Sequence, residues 1–269
     1  MPNSLYTSLA DGRKNRKKRF AVLIDPDNHN PKSLLNLIEL ASLSGVDYFF
    51  AGGSLVVEDA LDEILDAIRR HSSIPVILFP GNAYQLNAKA HGIFFLSLIS
   101  GRNPDLLIGQ QVLAAPVLRK TNLEVIPTGY MLIDGGAPTA VSYMSNTMPI
   151  PSDKEEIAMC TAMAGELLGL KVLYLDAGSG ARRHIPAKMI SSIRGAVELP
   201  LIAGGGIRTS ENAYELCKAG ADVIVVGNAI EKEPALIAEM ALAIRESEVV
   251  SREFSKPDTK GRQGRESNV

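Results

Sequence analysis

Three apolar runs in the second half of the chain each stop at glycine. Lys171-Val172-Leu173-Tyr174-Leu175 runs into Asp176-Ala177-Gly178-Ser179-Gly180, Leu199-Pro200-Leu201-Ile202-Ala203 into Gly204-Gly205-Gly206-Ile207-Arg208, and Ala221-Asp222-Val223-Ile224-Val225-Val226 into Gly227-Asn228. Glycine lets backbone N–H groups approach an anion with no side chain in the way, and helix N-termini attract negative charge. A single turn of this kind needs only a tight bend to explain it. Three at successive strand ends read as a phosphate cradle. Arg208 could pair with a phosphate or with a neighbouring carboxylate. Asp176 could orient or deprotonate a hydroxyl nucleophile, or serve as a turn residue before Ala177-Gly178.

A second pair of candidates ends the first two apolar runs. Asp25 follows Phe20-Ala21-Val22-Leu23-Ile24, and Ser54 follows Val46-Asp47-Tyr48-Phe49-Phe50-Ala51 through Gly52-Gly53. A carboxylate and a hydroxyl, completed by water and substrate phosphates, suit Mg²⁺, which seldom takes an all-protein cage. The same two residues would serve equally well as caps of the helices that follow, and spacing does not decide between these roles. His29, His71, His91 and His184 show no ligand spacing. Cys160 and Cys217 lie far apart and read as buried small hydrophobes in a reducing compartment.

The elements that must position these residues alternate. Apolar runs of strand length occur at 20–24, 46–51, 74–79, 93–96, 123–127, 171–175, 199–203 and 221–226. They are continuous rather than alternating, as in a parallel sheet buried on both faces. Helical patterns lie between most of them: one opened by Pro31 and closed by Gly45, one carrying Leu61, Ile64, Leu65 and Ile68, and others near 105–118, 152–168, 186–196 and after Thr209. Eight strands alternating with seven or eight helices predict a single (β/α)8 TIM barrel of phosphate-binding type. An open doubly wound sheet would carry its glycine fingerprint after strand one; here strand one ends in Asp25-Pro26-Asp27. The connection 80–90 is barely long enough for a parallel crossover, so the third unit is expected to be abbreviated. The stretch 128–151 reads as one long irregular loop, a length usually tied to function.

Composition limits the rest. The chain has 269 residues, 46% of them hydrophobic, with a net charge of -2 and no Trp. That suits one large barrel, here 20–245, and gives no nucleic-acid footprint. Residues 1–19 read as a short helix or arm ending in the basic cluster Arg13 to Arg19, attracted to an anionic surface or simply solvated. Residues 246–269 are charged and have the composition of a disordered tail. No signal peptide and no span of about eighteen apolar residues is present, so a cytoplasmic protein is expected.

Six of these motifs together resemble the geranylgeranylglyceryl phosphate synthase family, which includes the heptaprenylglyceryl phosphate synthases. They are Asp25-Pro26-Asp27, Gly52-Gly53-Ser54, Ile126-Pro127-Thr128-Gly129-Tyr130, Tyr174 to Ala181, Gly204 to Arg208, and Gly227-Asn228, in that order from about Phe20 to about Ile244. The resemblance implies a barrel modified at its third βα unit. It implies prenyl transfer, in which the C3 hydroxyl of sn-glycerol 1-phosphate attacks C1 of a long prenyl diphosphate and pyrophosphate leaves. It assigns Mg²⁺ to Asp25 and Ser54, and glycerol phosphate to Tyr174, Leu175, Asp176, Ala177, Gly178, Ser179, Gly180, Gly205, Gly206, Gly227 and Asn228. Asp176 is the residue it makes catalytic. It implies a homo-oligomer, and a lipid product makes a membrane-surface contact through the basic arm conceivable. Phe49-Phe50, Phe94-Phe95 and Tyr130 are candidates for the prenyl groove, with at most one Phe of each pair facing the barrel.

Two positions depart from the family pattern. The family usually has Glu where this chain has Asp176. The heptaprenyl branch has Lys where this chain has Leu23, which favours the geranylgeranyl type. Two rival readings of the cradle are an FMN-binding oxidoreductase barrel and a non-catalytic phosphate-binding scaffold.

Overall fold

The computed structural model describes residues 4–28, 30–57 and 60–253. Eight parallel strands close into a barrel in chain order: β1 (Arg19–Ile24), β2 (Tyr48–Ala51), β3 (Val76–Leu78), β4 (Gly92–Leu98), β5 (Glu124–Leu132), β6 (Val172–Asp176), β7 (Leu201–Gly204) and β8 (Val223–Val226), which pairs back onto β1. The helices are α1 (Leu5–Lys14), α2 (Pro31–Ser44), α3 (Leu61–His71), α4 (Gln110–Leu118), α5 (Ala140–Ser145), α6 (Glu155–Leu167), α7 (Ala187–Ala196), α8 (Ser210–Ala219), α9 (Asn228–Lys232) and α10 (Leu236–Glu253). The expected (β/α)8 barrel is the observed one.

Strand alternation divides the apolar residues between two cores. Phe49, Leu173, Leu175 and Leu201 point outward and pack with the helices. Phe50, Phe94, Tyr130, Tyr174 and Ile202 point into the barrel. The interior is filled by aromatic rings: Phe50 meets Phe94 edge to face at 4.8 Å, and Phe79 stacks on Tyr174 at 4.6 Å and 13°.

The third unit is abbreviated as predicted. No helix lies between β3 and β4, and these strands share only Ile77↔Gly92 and Leu78↔Ile93. By contrast β4 and β5 are paired at seven positions. Beyond Leu78 the third and fourth strands therefore part, and the wall opens on the side of the barrel mouth.

Three sequence expectations need correction. The stretch 128–151 is not one loop. Strand β5 continues through Pro127 to Leu132, and α5 occupies part of the remainder. A proline inside a strand argued for a boundary. Here Glu124 N–H turns to β4 by donating to His91 C=O, whereas Pro127 C=O faces β6 by accepting from Lys171 N–H. Pro127 thus lies on the β6 side, one residue before that ladder begins at Thr128↔Val172, where its missing N–H interrupts no pairing. The tail boundary at 245 is too early as well: α10 carries 246–253, and 254–269 lie outside the described residues. Cys160 is exposed on α6, while Cys217 is buried and its thiol is pushed up to about 11 by that burial.

The N-terminal segment is a plug. Leu5 and Leu9 are buried with Ala21, Tyr48, Ile77, Ile126 and Val223 in the N-terminal half of the barrel interior. Glu124 accepts from the N–H groups of Leu5 and Tyr6 at 2.6 and 2.8 Å, so a carboxylate holds the positive end of α1. A Cβ on Gly92 would lie 2.5 Å from Leu5 Cδ1, which shows how closely α1 is seated. Much of the basic cluster is engaged at this end too. Arg13 pairs with Glu198 at 2.8 Å, Arg19 with Asp47 at 2.7 Å, and half-buried Lys18 donates to Ala221 C=O at 2.6 Å. Leu9→Ala should lower stability by about 2–5 kcal/mol, read as a reduced urea midpoint. Binding of inorganic phosphate at the opposite end should stay unchanged below the transition.

Candidate functional site

The C-terminal ends of the strands bring the predicted residues together. Tyr174, Asp176, Gly178, Ser179, Gly180, Gly205, Gly206, Gly227 and Asn228 line one cavity of about 460 Å³, and Asp25 and Ser54 line the same cavity. That volume is within the usual range for small-molecule sites, roughly 300–1,000 Å³. Leu175 and Ala177 do not line it. Their side chains alternate outward into the helix-facing core, and Ala177 N–H is taken by Gly204 C=O.

The cradle is built by close backbone approach. Gly178, Gly180, Gly205 and Gly206, which all line the cavity, have φ of +88°, +79°, +78° and +69°, a conformation open to glycine and rarely adopted by other residues. Gly205 is the tightest point. A Cβ there would lie 2.5 Å from Asp176 Oδ1 and 2.6 Å from Gly178 N, so the loop after β7 rests directly on the loop after β6. Ser179 Oγ donates to Asn228 Oδ1 at 3.0 Å and ties the first wall to the third. Arg208 pairs with no carboxylate among the described residues. Its guanidinium is held against the mouth of the cavity by the carbonyls of Ala181, at 2.7 Å, and Arg182, at 3.3 Å.

Asp176 is buried at the floor. Oδ2 accepts from Tyr130 OH at 2.6 Å and Oδ1 from Gly178 N–H at 2.7 Å. Burial raises its pKa above the ordinary carboxylate value, and the two hydrogen bonds draw it part of the way back. Burial also lifts the phenols of Tyr130 and Tyr174 well above 10, and the nearby Asp176 charge adds to this. Tyr130 was expected as a groove residue. Its second role, as donor to Asp176, depends on register: Leu132 pairs with Asp176, which sets Tyr130 beside Tyr174 on the inward face.

A second cavity, of about 280 Å³, enters through the gap beyond β3 and β4. Phe94 and Tyr130 line it from the barrel side, and Leu86, Ile93, Phe95, Leu106 and Ala114 continue it toward α4. Both faces of β4 contribute because the cavity passes from the interior to the outside of the sheet. Phe50 is not among its residues and belongs to the barrel core. Gly53, Ser54 and Phe79 line both cavities. Phe79 was missed from the sequence, although it ends the third apolar run, where inward and outward positions alternate.

The alternative role for Asp25 and Ser54 fails for the main helices. Asn30 caps α2 through its own side chain, and Ala60 precedes α3 with no side-chain cap. Asp25 Oδ1 does accept from Asp27 N–H at a short 3₁₀ turn. The Asp25 carboxylate lines the cradle cavity and the Ser54 hydroxyl the wall common to both cavities; both are hard oxygen donors of the kind that suits a cation shared with a substrate phosphate. Among the described residues no group of three His, Cys, Asp or Glu side chains forms a self-sufficient metal cage.

The chain is similar to known proteins over most of its length. Residues 13–247 match the model of the PcrB family. The chain is 58% identical over 244 residues to the geranylgeranylglyceryl phosphate synthase of Chitinophaga pinensis, covering 91% of this chain and 97% of that protein. It is 42% identical over 218 residues to the synthase of that name from Thermococcus gammatolerans, covering 81% and 86%. It is similar to the crystal structure of (S)-3-O-geranylgeranylglyceryl phosphate synthase from Thermoplasma acidophilum in complex with sn-glycerol-1-phosphate, with a TM-score of 0.86, 32% identity and coverage of 91% and 99%.

Gly205→Ala should force its loop off Asp176. Affinity for inorganic phosphate should fall at least about tenfold, with a loss of roughly 1–3 kcal/mol in stability, both readable by calorimetry.

Proposed function

The chain belongs to the PcrB family, and from that premise we propose that it transfers a long prenyl group from its diphosphate to the C3 hydroxyl of sn-glycerol 1-phosphate, forming an ether bond in lipid synthesis. The observation that carries this reading is the meeting of two unlike cavities at Gly53, Ser54 and Phe79. One is a glycine cradle suited to glycerol phosphate, the other an apolar groove suited to a prenyl tail. An FMN phosphate would use the cradle but leave the groove unexplained. A silent scaffold would need neither Asp176 nor the junction.

The roles follow from position. The N–H groups and side chains from Ser179 to Gly180, with Gly205, Gly206, Gly227 and Asn228, hold the phosphate of the acceptor. Its glycerol end is then directed at the barrel axis, where Asp176 accepts a hydrogen bond from the C3 hydroxyl. The prenyl tail lies along Phe94, Phe95 and Leu106, which leaves its diphosphate at Ser54 and Asp25. Asp25 and Ser54 would hold Mg²⁺, which when bound would supply positive charge against the leaving pyrophosphate. The C1–O bond to the diphosphate breaks, the hydroxyl oxygen bonds C1, and Asp176 takes the hydroxyl proton. A raised carboxylate pKa makes it a stronger base once ionised. Fixed orientation of the two reactants supplies much of the remaining rate.

Peripheral contacts are assigned by the same placement. The basic arm is seated as a plug at the end of the barrel remote from the groove, which argues against it as the membrane contact. A homo-oligomer is supported by apolar side chains exposed on α4 and α6, the helices after adjacent strands. They include Val112, Leu113, Val117, Ile157 and Leu167, and exposed apolar side chains grouped on neighbouring helices mark interaction surfaces.

The direct test incubates the protein with Mg²⁺, sn-glycerol 1-phosphate and labelled prenyl diphosphates of graded length, followed by lipid extraction. A labelled ether lipid is expected with the C20 donor, and its absence at every length would refute the assignment. Asp25→Ala should lose at least about tenfold in turnover while glycerol phosphate still binds.

Tyr130→Phe gives a pH test. The phenol donates to Asp176 and so lowers its pKa; without it the pKa rises further. Activity requires the ionised carboxylate and falls as pH drops through that pKa. The acidic limb of kcat/KM should therefore move to higher pH in Tyr130→Phe. A limb that stays in place would exclude Asp176 as the titrating base.

A further inference from the structure

We propose that the loops around the groove mouth dock the protein on the uncharged surface of a lipid bilayer, so that the prenyl donor enters and the lipid product leaves without crossing water. This rests on the prenyl-transfer reading and names the partner of that same site.

The loops at the C-terminal end of the barrel differ sharply around the ring. Those following β2, β3, β4 and β5 are neighbours, and each presents a large apolar side chain to solvent. Leu55 and Val57 follow β2 and are 50% and 79% exposed; Tyr84 follows β3 at 95%; Ile108 follows β4 at 61%; Tyr143 and Met148 follow β5, each at 86%. Residues 80–88 and 135–152 contain no charged side chain at all. On the opposite half, the loops after β6, β7 and β8 carry Arg182, Arg183, Arg208, Glu231, Lys232 and Glu233. One half of the mouth is thus charged and surrounds the phosphate cradle. The other presents most of the exposed apolar side chains and surrounds the groove, with Glu58 and Asp59 in the loop after β2 and Arg102 and Asp105 in the loop after β4 among its charged residues.

The apolar half is also continuous with the groove. A Cβ on Gly81 would lie 2.4 Å from Gly53 O and 2.9 Å from Ser54 O, so the loops after β2 and β3 touch. Ala83 N–H donates to Gln110 at 3.1 Å, and Asn103 donates to Ser145 C=O at 2.8 Å, which links the loops after β3, β4 and β5. Asn82, Leu106, Val141 and Met144 line the groove directly beneath this rim. Isolated apolar side chains on a surface need no explanation, but a contiguous rim marks an interaction site. Tyr side chains suit the boundary between lipid and water, since one end is apolar and the other wet. The groove takes a hydrocarbon chain, so a hydrocarbon surface is the occupant continuous with it.

This docking is apolar, not electrostatic, and that distinguishes it from a basic arm held by anionic lipids. The chain has no Trp, so Tyr143→Trp gives a single reporter in the full-length protein. With vesicles of phosphatidylcholine, its emission should shift to the blue and be quenched by lipids with brominated chains, equally in low and high salt. A reporter at the far end, Lys14→Trp, should respond to neither. The double variant Val57→Asp, Met148→Asp should weaken vesicle partitioning at least about tenfold, while a short, water-soluble prenyl diphosphate is still turned over in vesicle-free buffer.

Three outcomes would overturn the proposal. The Tyr143→Trp reporter could stay unshifted with vesicles. Binding could require anionic lipid and vanish in salt. The emission could shift with protein concentration alone, which would make the rim a contact between copies. Loss of turnover with every donor in buffer would instead count against prenyl transfer itself.

Discussion

The structure depends on one omission. A parallel barrel normally covers each strand pair with a helix, but the connection between β3 and β4 is made of turns. These strands share two paired positions, where β4 and β5 share seven, and β4 continues past the end of β3. A closed barrel of eight strands has an interior just wide enough to be filled by side chains, and this one is filled with aromatic rings. It could not hold a long hydrocarbon inside. In the proposed reaction the gap would let a tail leave sideways, across the sheet and under α4, while its head stayed at the barrel axis. The interior can then remain packed, and the barrel need not be enlarged to take a lipid.

Asp176 stands at the border this creates. On one side lie glycine turns and charged loops, on the other Phe79, Phe94 and Tyr130. A carboxylate in such a place would ordinarily be driven toward its neutral form by burial. Tyr130 and Gly178 each give it one hydrogen bond, which favours the anion and offsets part of the rise that burial causes. The same tyrosine lines the apolar cavity. A single side chain therefore forms groove wall with its ring and site with its hydroxyl, and the two substrates can meet with no water-filled gap between them.

The barrel itself was legible because parallel strands buried on both faces leave continuous apolar runs, and because glycines after strands six, seven and eight have no competing explanation as a set. The abbreviated unit was legible from the length of 80–90 alone. Pro127 hid the second half of β5, since its harmlessness depends on which neighbour its N–H would have faced, and that is a matter of register. Leu175 and Ala177 fell inside a motif whose alternate side chains turn away from the site. Cys160 was misplaced because thiols are buried more often than not, and nothing in its neighbours marks the outer side of α6. The partnership of Tyr130 with Asp176 joins residues 46 apart in sequence and could not be seen without the pairing of β5 and β6.

The backbone closes tightly around the carboxylate at position 176. Gly205 approaches so closely that a single methyl group would collide with Asp176 Oδ1, and Gly178 turns its N–H back onto the same oxygen. Reach in a site of this kind is set by the distance from strand end to substrate, not by side-chain length alone. Here both flanking loops close inward, and each closure needs a glycine at positive φ. The other end of the barrel is closed by a plug. There α1 is driven into the barrel, its first turn held by Glu124, and the strand starts are tied by Asp47 and Asp222. Glycine adopts positive φ without steric cost, so both loops can close over Asp176 while the opposite end of the barrel stays plugged by α1.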